Sequence, residues 1–205
     1  MDAADKSAQP DPLDLTAEQR ELLYWVACRL VERAARGERA AVSEYSLGQL
    51  AAHPLVGAFV TLRKNGELRG CIGNFGTATS LGSALEQAAV GVVSHDPRFL
   101  PISTEELPEL TLTVSLLHNR ELIKGSPEER ISQVSIGQHG LDIQYQGRKG
   151  LLLPSVATDF GLDAAGFLQA VCRKANVPDD AWQHPDAGLY RFSATAFGGP
   201  WKPDE

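Results

Sequence analysis

Residues 58–73 read AFVTLRKNGELRGCIG, and this stretch decides the fold. Two runs with β-strand patterning, 58–64 and 67–73, flank the dipeptide Asn65-Gly66. Asn-Gly between two such runs is the strongest short-range signal for a two-residue hairpin turn, because both residues accept a positive φ. The stretch therefore predicts an antiparallel β-hairpin.

The turn length also predicts which residues of the hairpin face each other. With two residues in the turn, Leu62 is expected opposite Arg69 and Val60 opposite Cys71. Side chains alternate along a strand, so Arg69 and Cys71 are expected on one face of the hairpin.

The remaining pattern mixes helices with further strands. Thr16 and Gln19 form a capping box that starts a helix ending near Gly37. Further elements are predicted as a helix at 81–92, a strand at 110–119, a hairpin at 140–154, a helix at 163–176 and a strand at 188–197. This order predicts an α+β fold, with an antiparallel sheet flanked by helices.

Length and composition limit the class of protein. The chain has 205 residues, enough for one domain that carries a small subdomain. Residues 1–14 are polar and acidic, without the apolar core of a secretory signal, and are predicted to be a disordered tail. No apolar run reaches the roughly 20 residues of a membrane helix. We therefore expect no membrane association and a cytoplasmic location.

The net charge and the cysteine and histidine content argue against a nucleic-acid-binding, a disulfide-rich or a metal-binding protein. The formal net charge of -7 disfavours nucleic-acid binding, which depends on Lys and Arg. The three cysteines, Cys28, Cys71 and Cys172, are widely spaced, which favours reduced thiols over a disulfide framework. The five histidines form no metal-binding motif, so no metal and no cofactor is predicted.

Cys71 is the first candidate for chemistry. A positive charge at Arg69 and a helix N-terminus soon afterwards would both favour a reactive thiolate. Gly70, Gly73 and Gly76 precede the predicted helix, an arrangement that can hold a carboxylate or a single phosphate but matches no nucleotide motif. The alternative is a small structural cysteine in a strand, with the glycines allowing close approach of the backbone.

The second candidate is the sequence HDPRF at residues 95–99. His95, Asp96 and Arg98 offer a titrating base, an acid and a bidentate anion-binding group within four residues. The structural alternative is an Asp-Pro turn, in which Asp96 accepts backbone hydrogen bonds and Arg98 joins loops.

Five segments in order resemble the AMMECR domain family, which is component A of the AmmeMemoRadiSam system. LRGCIG at 68–73 is identical to the family signature, and DPRF at 96–99 matches its second landmark. The other three segments are EELPELTLTVSLL, GLLLPSVA and FLQAVCRKANV, and the similarity runs from about residue 15 to 197. Ser155 departs from the family, which usually has Gln there. Gly198 and Gly199 stand where a Glu is common.

The resemblance implies an antiparallel sheet with helices and a smaller subdomain that forms a cleft, with LRGCIG at or near this cleft. It implies domain bounds of 15–197, followed by a C-terminal tail at 198–205. It also implies a Memo-like protein and a radical SAM protein as partners. It supplies no agreed reaction.

The sequence therefore leaves two hypotheses for the function. In the first, the chain is an enzyme acting on a small anionic or carbonyl substrate, with Cys71, Arg69, Asp96 and His95 as catalytic groups. Its substrate-binding residues would be Gly70, Gly73, Asn74, Arg98 and Ser155. In the second, the LRGCIG hairpin is a non-catalytic docking surface for the Memo-like or radical SAM protein, and Cys71 is merely small.

Overall fold

The computed structural model describes residues 13–202, so residues 1–12 of the predicted N-terminal tail and residues 203–205 lie outside the described part. Helices and strands alternate irregularly along the chain, which confirms the α+β class. The elements are α1 (Ala17–Ala35), β1 (Pro54–Lys64), β2 (Glu67–Ser80), α2 (Leu81–Ser94), β3 (Leu110–Leu122), α3 (Pro127–Ser132), β4 (His139–Tyr145), β5 (Arg148–Leu152), α4 (Pro154–Asp159), α5 (Ala164–Lys174) and β6 (Gly188–Pro200).

The strands are hydrogen-bonded in the order β2-β1-β3-β6-β4-β5. The pairs β1–β2, β1–β3, β4–β5 and β4–β6 are all antiparallel. The chain divides into a larger unit, containing residues 13–117 and 195–202, and a smaller unit, residues 118–194. The predicted cleft stays a prediction.

In the larger unit, α2 packs on β1 and β2, and α1 packs against α2. The capping box of Thr16 and Gln19 is present at the start of α1, as predicted. The core is formed by apolar side chains that recur at helical spacing in α1 and α2 and at alternate positions in β1 and β3, among them Leu23, Leu30, Leu85, Ala88, Val60, Leu62, Leu112 and Val114. Between residues 13 and 202, none of the helices combines the length and the apolar character needed to cross a bilayer.

The first hairpin has the predicted turn but not the predicted register. Asn65 and Gly66 have φ values of 51° and 85°, as a two-residue turn of this type requires. Beyond the turn, a bulge leaves Arg69 without an opposite residue, so that Cys71 faces Thr61 rather than Val60. The expected pairing of Leu62 with Arg69 is also wrong, because the extra residue shifts the register by one.

The glycine-rich segment lies within a strand and not in a strand-to-helix loop. Pairing with β1 continues as far as Pro54 with Ser80, so β2 covers all of residues 67–80. The first residue of α2 is Leu81, ten residues beyond Cys71. The predicted helix N-terminus close to the thiol is therefore wrong, because the hairpin extends through the glycines instead of ending at them.

The smaller unit has its own core. Strands β4 and β5 form the predicted second hairpin, with Gln146 and Gly147 in the turn at φ values of 49° and 77°. The buried side chains come from these strands and from the helices of the unit, among them Leu141, Ile143, Phe167, Leu168, Val171 and Leu189. Cys172 belongs to this core.

The C-terminal tail was predicted to begin at residue 198, but β6 continues to Pro200. Trp201 follows, with 8% of its surface exposed, and its N–H donates to the Leu110 carbonyl at 2.8 Å. Residues 198–201 thus belong to the folded larger unit, since the Trp201 ring is buried there and its N–H has a partner.

Candidate functional site

The backbone of Cys71 is bound to the HDPRF segment. Strand β2 lies at one end of the sheet, so its outer N–H groups need partners from outside the sheet. The Cys71 N–H donates to Asp96 Oδ2 at 2.9 Å. Asp96 therefore takes the place of a neighbouring strand at this point and joins the two segments singled out in the sequence.

The carboxylate of Asp96 is buried, with 5% of the residue exposed, and accepts four hydrogen bonds. Three of them come from Arg98: its backbone N–H at 3.2 Å, Nε at 2.9 Å and Nη2 at 2.7 Å. The Arg98 side chain holds the pKa of Asp96 well below its usual range, against the opposing effect of burial. Asp96 is thus ionised at neutral pH and occupied by structural contacts, rather than placed for proton transfer.

Arg69 binds the segment that follows HDPRF. Its guanidinium contacts the Glu106 carboxylate through Nε and Nη2, both at 2.8 Å. It also donates to the carbonyls of Leu100, at 3.0 Å, and Pro101, at 3.3 Å. The sequence suggested that Arg69 would stabilise the thiolate or bind an anion, whereas its donors are directed at Glu106 and this backbone, which lie on a different element.

The contacts of Arg69 and Asp96 hold residues 96–102, which we call the DPRF loop, on the edge of β2. Asp96 is fixed at one end, and Ile102 is buried at the other, where its N–H donates to the Val93 carbonyl at 2.8 Å. Two guanidinium groups lie near the Phe99 ring. Their central carbons are 6.0 Å (Arg69) and 5.4 Å (Arg98) from the ring centroid, within the range of a cation–π interaction.

Leu100 projects from the DPRF loop with 83% of its surface exposed. Its carbonyl is bound by Arg69, so the exposed apolar side chain stands on a backbone that is hydrogen-bonded to the sheet edge. Single exposed leucines are ordinary on protein surfaces, but this one combines exposure with a fixed backbone and with neighbouring Phe and Arg side chains.

The Cys71 thiol is partly exposed and contacts Thr61, with 3.2 Å between Sγ and Oγ1. The nearby Gly73 lies under the Phe59 ring, so that a Cβ at residue 73 would be 2.5 Å from Phe59 Cγ. The pKa of Arg98 is raised, mainly by its hydrogen bond to Asp96, although burial acts in the opposite direction. The Thr61 hydroxyl is thus the polar group in contact with the sulfur.

The other two cysteines have a different environment. Cys28 and Cys172 are buried, and burial raises the pKa of each thiol to about 11. Both are therefore unreactive thiols at neutral pH, as expected for core residues.

His95, Gly70 and Asn74 lie towards α2. His95 is the C-cap of α2, and its ring is beside Gly91, which contacts Ile72. Because Ile72 and Cys71 are consecutive strand residues, this contact is on the face opposite to the thiol.

Two more of the predicted binding residues contact α2. A Cβ at Gly70 would be 3.1 Å from Val92 Cγ2. Asn74 donates through Nδ2 to Gln87 Oε1 at 2.5 Å. His95, Gly70 and Asn74 therefore do not surround the sulfur.

Ser155 belongs to the smaller unit. It is exposed in α4, and its carbonyl accepts a hydrogen bond from the Thr158 hydroxyl at 2.8 Å. Its predicted role in substrate binding stays a prediction.

Sequence reasoning missed the residues that complete this region: Thr61, Glu106 and Leu100. Glu106 forms a capping box with Ser103, but its contact with Arg69 spans 37 residues of sequence. Burial would raise the pKa of Glu106, but the Arg69 side chain and the Ser103 N–H outweigh it and lower the pKa. No local pattern could have indicated this ion pair.

Comparison with known proteins places this geometry in a family. The AMMECR1 family model matches residues 25–197. Protein TK0174 of Thermococcus kodakarensis is 42% identical over 147 residues, which cover 69% of this chain and 72% of the relative. Protein MJ0810 of Methanocaldococcus jannaschii is 38% identical over 175 residues, which cover 80% of this chain and 87% of the relative.

A solved structure agrees with the fold. The crystal structure of the uncharacterized protein PH0010 from Pyrococcus horikoshii is similar with a TM-score of 0.85 and 34% identity. The match covers 92% of this chain and 96% of that one.

Proposed function

This chain belongs to the AMMECR1 family, a family of uncharacterised function, and we propose that it is a protein-interaction module whose binding surface is the DPRF loop. The single observation that carries the proposal is Leu100, which is 83% exposed on a loop tied to the β2 edge. Its proposed partner is the Memo-like or the radical SAM protein implied by the family resemblance, in the cytoplasm.

The contacts of the charged residues support a binding role over a catalytic one. Arg69 and Asp96 were predicted as catalytic groups that assist Cys71, and both direct their hydrogen bonds at the loop, at Glu106 that follows it, or at the edge of β2. Together, these contacts hold the DPRF loop in one position on the edge of β2. A loop that is already ordered loses little conformational entropy when a partner binds, which increases affinity for the same contact area.

The exposed side chains of the loop are of types that contribute strongly to protein interfaces. Arg98 is 52% exposed at its side chain, Phe99 is partly exposed, and Leu100 extends beyond both. Aromatic and arginine residues are enriched among the side chains that dominate binding energy. The partner is therefore expected to offer an apolar pocket for Leu100.

The experiment compares Leu100→Asp with Phe160→Asp by isothermal titration calorimetry against the Memo-like and the radical SAM protein. Phe160 is a matched control, because it is also a large apolar residue, 75% exposed, and lies in the smaller unit. We expect Leu100→Asp to weaken binding at least tenfold, since removing a central interface side chain costs about 2 kcal/mol or more. Phe160→Asp should bind like the unaltered protein.

Two outcomes would contradict the proposal. One is unaltered protein that binds neither partner, and the other is Leu100→Asp binding with unchanged affinity. Cys71→Ala should retain binding, which separates docking from chemistry at the thiol.

A second candidate function is thiol chemistry at Cys71, and the Thr61–Cys71 contact favours it. A hydroxyl 3.2 Å from the sulfur can donate to a thiolate. In this candidate, the thiolate adds to the carbonyl carbon of a small substrate, the π electron pair of the C=O bond moves to the oxygen, and the alkoxide takes a proton from water to give a hemithioacetal or hemithioketal.

Labelling with iodoacetamide, followed by mass spectrometry across a pH series, tests the second candidate. Cys28 and Cys172 are internal controls, because burial raises the pKa of each to about 11 and both should stay unlabelled in the folded protein. The candidate requires rapid labelling of Cys71 that slows in Thr61→Val. If Cys71 labels no faster than the two buried thiols, thiol chemistry is excluded and docking remains.

A further inference from the structure

A small polar pocket lies within the smaller unit, apart from the DPRF loop. It has a volume of about 150 Å³ and is lined by Asn119, Glu121, His139, Arg191 and Ser193. A cavity of this volume accommodates a molecule about the size of benzene. All five lining side chains are polar.

Three strands supply the lining at alternate positions. Asn119 and Glu121 are two residues apart on β3, and Arg191 and Ser193 are two residues apart on β6. His139 is directly opposite Ser193 in the β4–β6 pair. Because side chains two residues apart share a face, the five groups converge on one side of the strands.

Asn119 has an unusual backbone. Its φ is 52° although it lies inside β3. Positive φ inside a strand is uncommon for a residue other than glycine, and it recurs at binding sites, where the surrounding structure maintains it.

The hydrogen bonds of His139 determine which of its nitrogens is a donor. The Ser135 N–H donates to His139 Nδ1 at 3.0 Å, so in the neutral ring the proton is on Nε2. Burial lowers the pKa of His139, and the charge of Arg191 lowers it further, more than Glu121 raises it. The ring is thus neutral near pH 7.

Arg191 and Glu121 form an ion pair in the wall of the pocket, so their charges cancel. Arg191 donates through Nε and Nη2 to Glu121 Oε2, at 2.9 and 2.6 Å, and through Nη1 to the Gln133 carbonyl at 2.8 Å. Because this pair is neutral overall, the wall has no net positive charge that would compensate the two charges of a dianion. The part of the chain that the structure describes holds no group of three His, Cys, Asp or Glu residues suited to a metal ion.

We propose that this pocket binds a small monocarboxylate, with His139, Asn119 and Ser193 as hydrogen-bond donors to the carboxylate. The donors would be the Nε2–H of His139, the side-chain amide of Asn119 and the hydroxyl of Ser193. The volume limits the ligand to an acid with a short chain, and the balanced charge selects one negative charge over two.

The test is an NMR titration of the full chain with sodium acetate, at constant ionic strength, with the His139 ring resonances as the reporter. Small ligands gain little free energy in total, so a Kd on the order of 1 mM is expected. A bound anion favours the imidazolium form, so saturation with acetate should raise the pKa of His139 by roughly one unit. Sodium chloride and sodium sulfate should give no saturable change, and benzoate should be too large.

Asn119→Asp is the decisive variant, because it keeps a side chain that tolerates positive φ and places a negative charge against the ligand. Asn65→Asp is its matched control, since Asn65 has a φ of 51° in the β1–β2 turn. We expect acetate to bind at least tenfold more weakly to Asn119→Asp and normally to Asn65→Asp. If Asn119→Asp fails to give a folded spectrum, Ser193→Ala replaces it, with an expected several-fold loss.

The proposal is overturned if acetate produces no saturable change at His139 up to about 50 mM, well above the expected Kd. It is equally overturned if chloride reproduces the change, or if the pocket variant binds acetate as the control does. None of these outcomes affects the proposed docking at Leu100, which belongs to the other unit.

Discussion

Replacing Asp96 by Asn tests whether this carboxylate holds the DPRF loop on the edge of β2. The substitution keeps the shape of the side chain but removes its charge and replaces one acceptor oxygen by an NH₂ group. That group would face a donor, either the Cys71 N–H or the Arg98 guanidinium, each now 2.7–2.9 Å from Asp96. At least one short contact becomes repulsive.

The structure indicates the size of the effect. The Arg98 side chain is 52% exposed, so water can replace much of what it loses, and the ion pair contributes little. Whichever way the amide is turned, one backbone N–H, that of Cys71 or that of Arg98, loses an acceptor on a residue that is 5% exposed, which costs about 1–3 kcal/mol. We therefore expect Asp96→Asn to lower the free energy of unfolding by about 2 kcal/mol.

Urea denaturation at pH 7 measures this change. With an m-value of about 2 kcal/mol/M, the midpoint should fall by about 1 M. Asp159→Asn is the control, because Asp159 is exposed at the end of α4 and should change the stability by less than about 0.5 kcal/mol. If both variants unfold at the same urea concentration, the carboxylate does not tie the loop to the strand.

The pH dependence gives an independent check with a defined sign. The pKa of Asp96 is lower in the folded protein than its ordinary value near 4, so its ionised form favours folding. The stability advantage over Asp96→Asn should be constant from neutral pH to about 5, and should decline as the pH falls below about 4. An advantage that declines already near pH 6 would contradict this assignment.

Two further changes test the close packing and the loop. A Cβ at Gly73 would lie 2.1 Å from the Ala58 carbonyl oxygen, whereas one at Gly70 would lie 3.1 Å from the Val92 side chain, which can move. We therefore expect Gly73→Ala to lower the free energy of unfolding by more than about 3 kcal/mol and Gly70→Ala to lower it by about 1 kcal/mol. Thermal unfolding measures both changes. Equal losses would contradict the close approach of β1 to Gly73. Arg69→Lys replaces the bidentate contact with Glu106 by a single charge, so amide hydrogen exchange in residues 98–100 should accelerate and partner affinity should fall severalfold; unchanged exchange would mean that Arg69 does not order the loop.

Much of the fold could be predicted because its signals are local. The Asn65-Gly66 turn and the capping box at Thr16 each depend on a few consecutive residues, and both are present as predicted. The candidate site was harder to predict from the sequence. The segments LRGCIG and DPRF do lie together, but the bulge at Arg69 changed the residue that faces Cys71 from Val60 to Thr61.

The sequence by itself determined the turns, the helix starts and the α+β class, because these follow from backbone preferences and apolar spacing within a few residues. Only the tertiary structure decided which groups the charged side chains contact. The Arg69–Glu106 contact spans 37 residues, and the Cys71–Asp96 contact spans 25. A charged side chain pairs with whatever the folded chain brings within about 3 Å, and its sequence neighbours do not specify that partner.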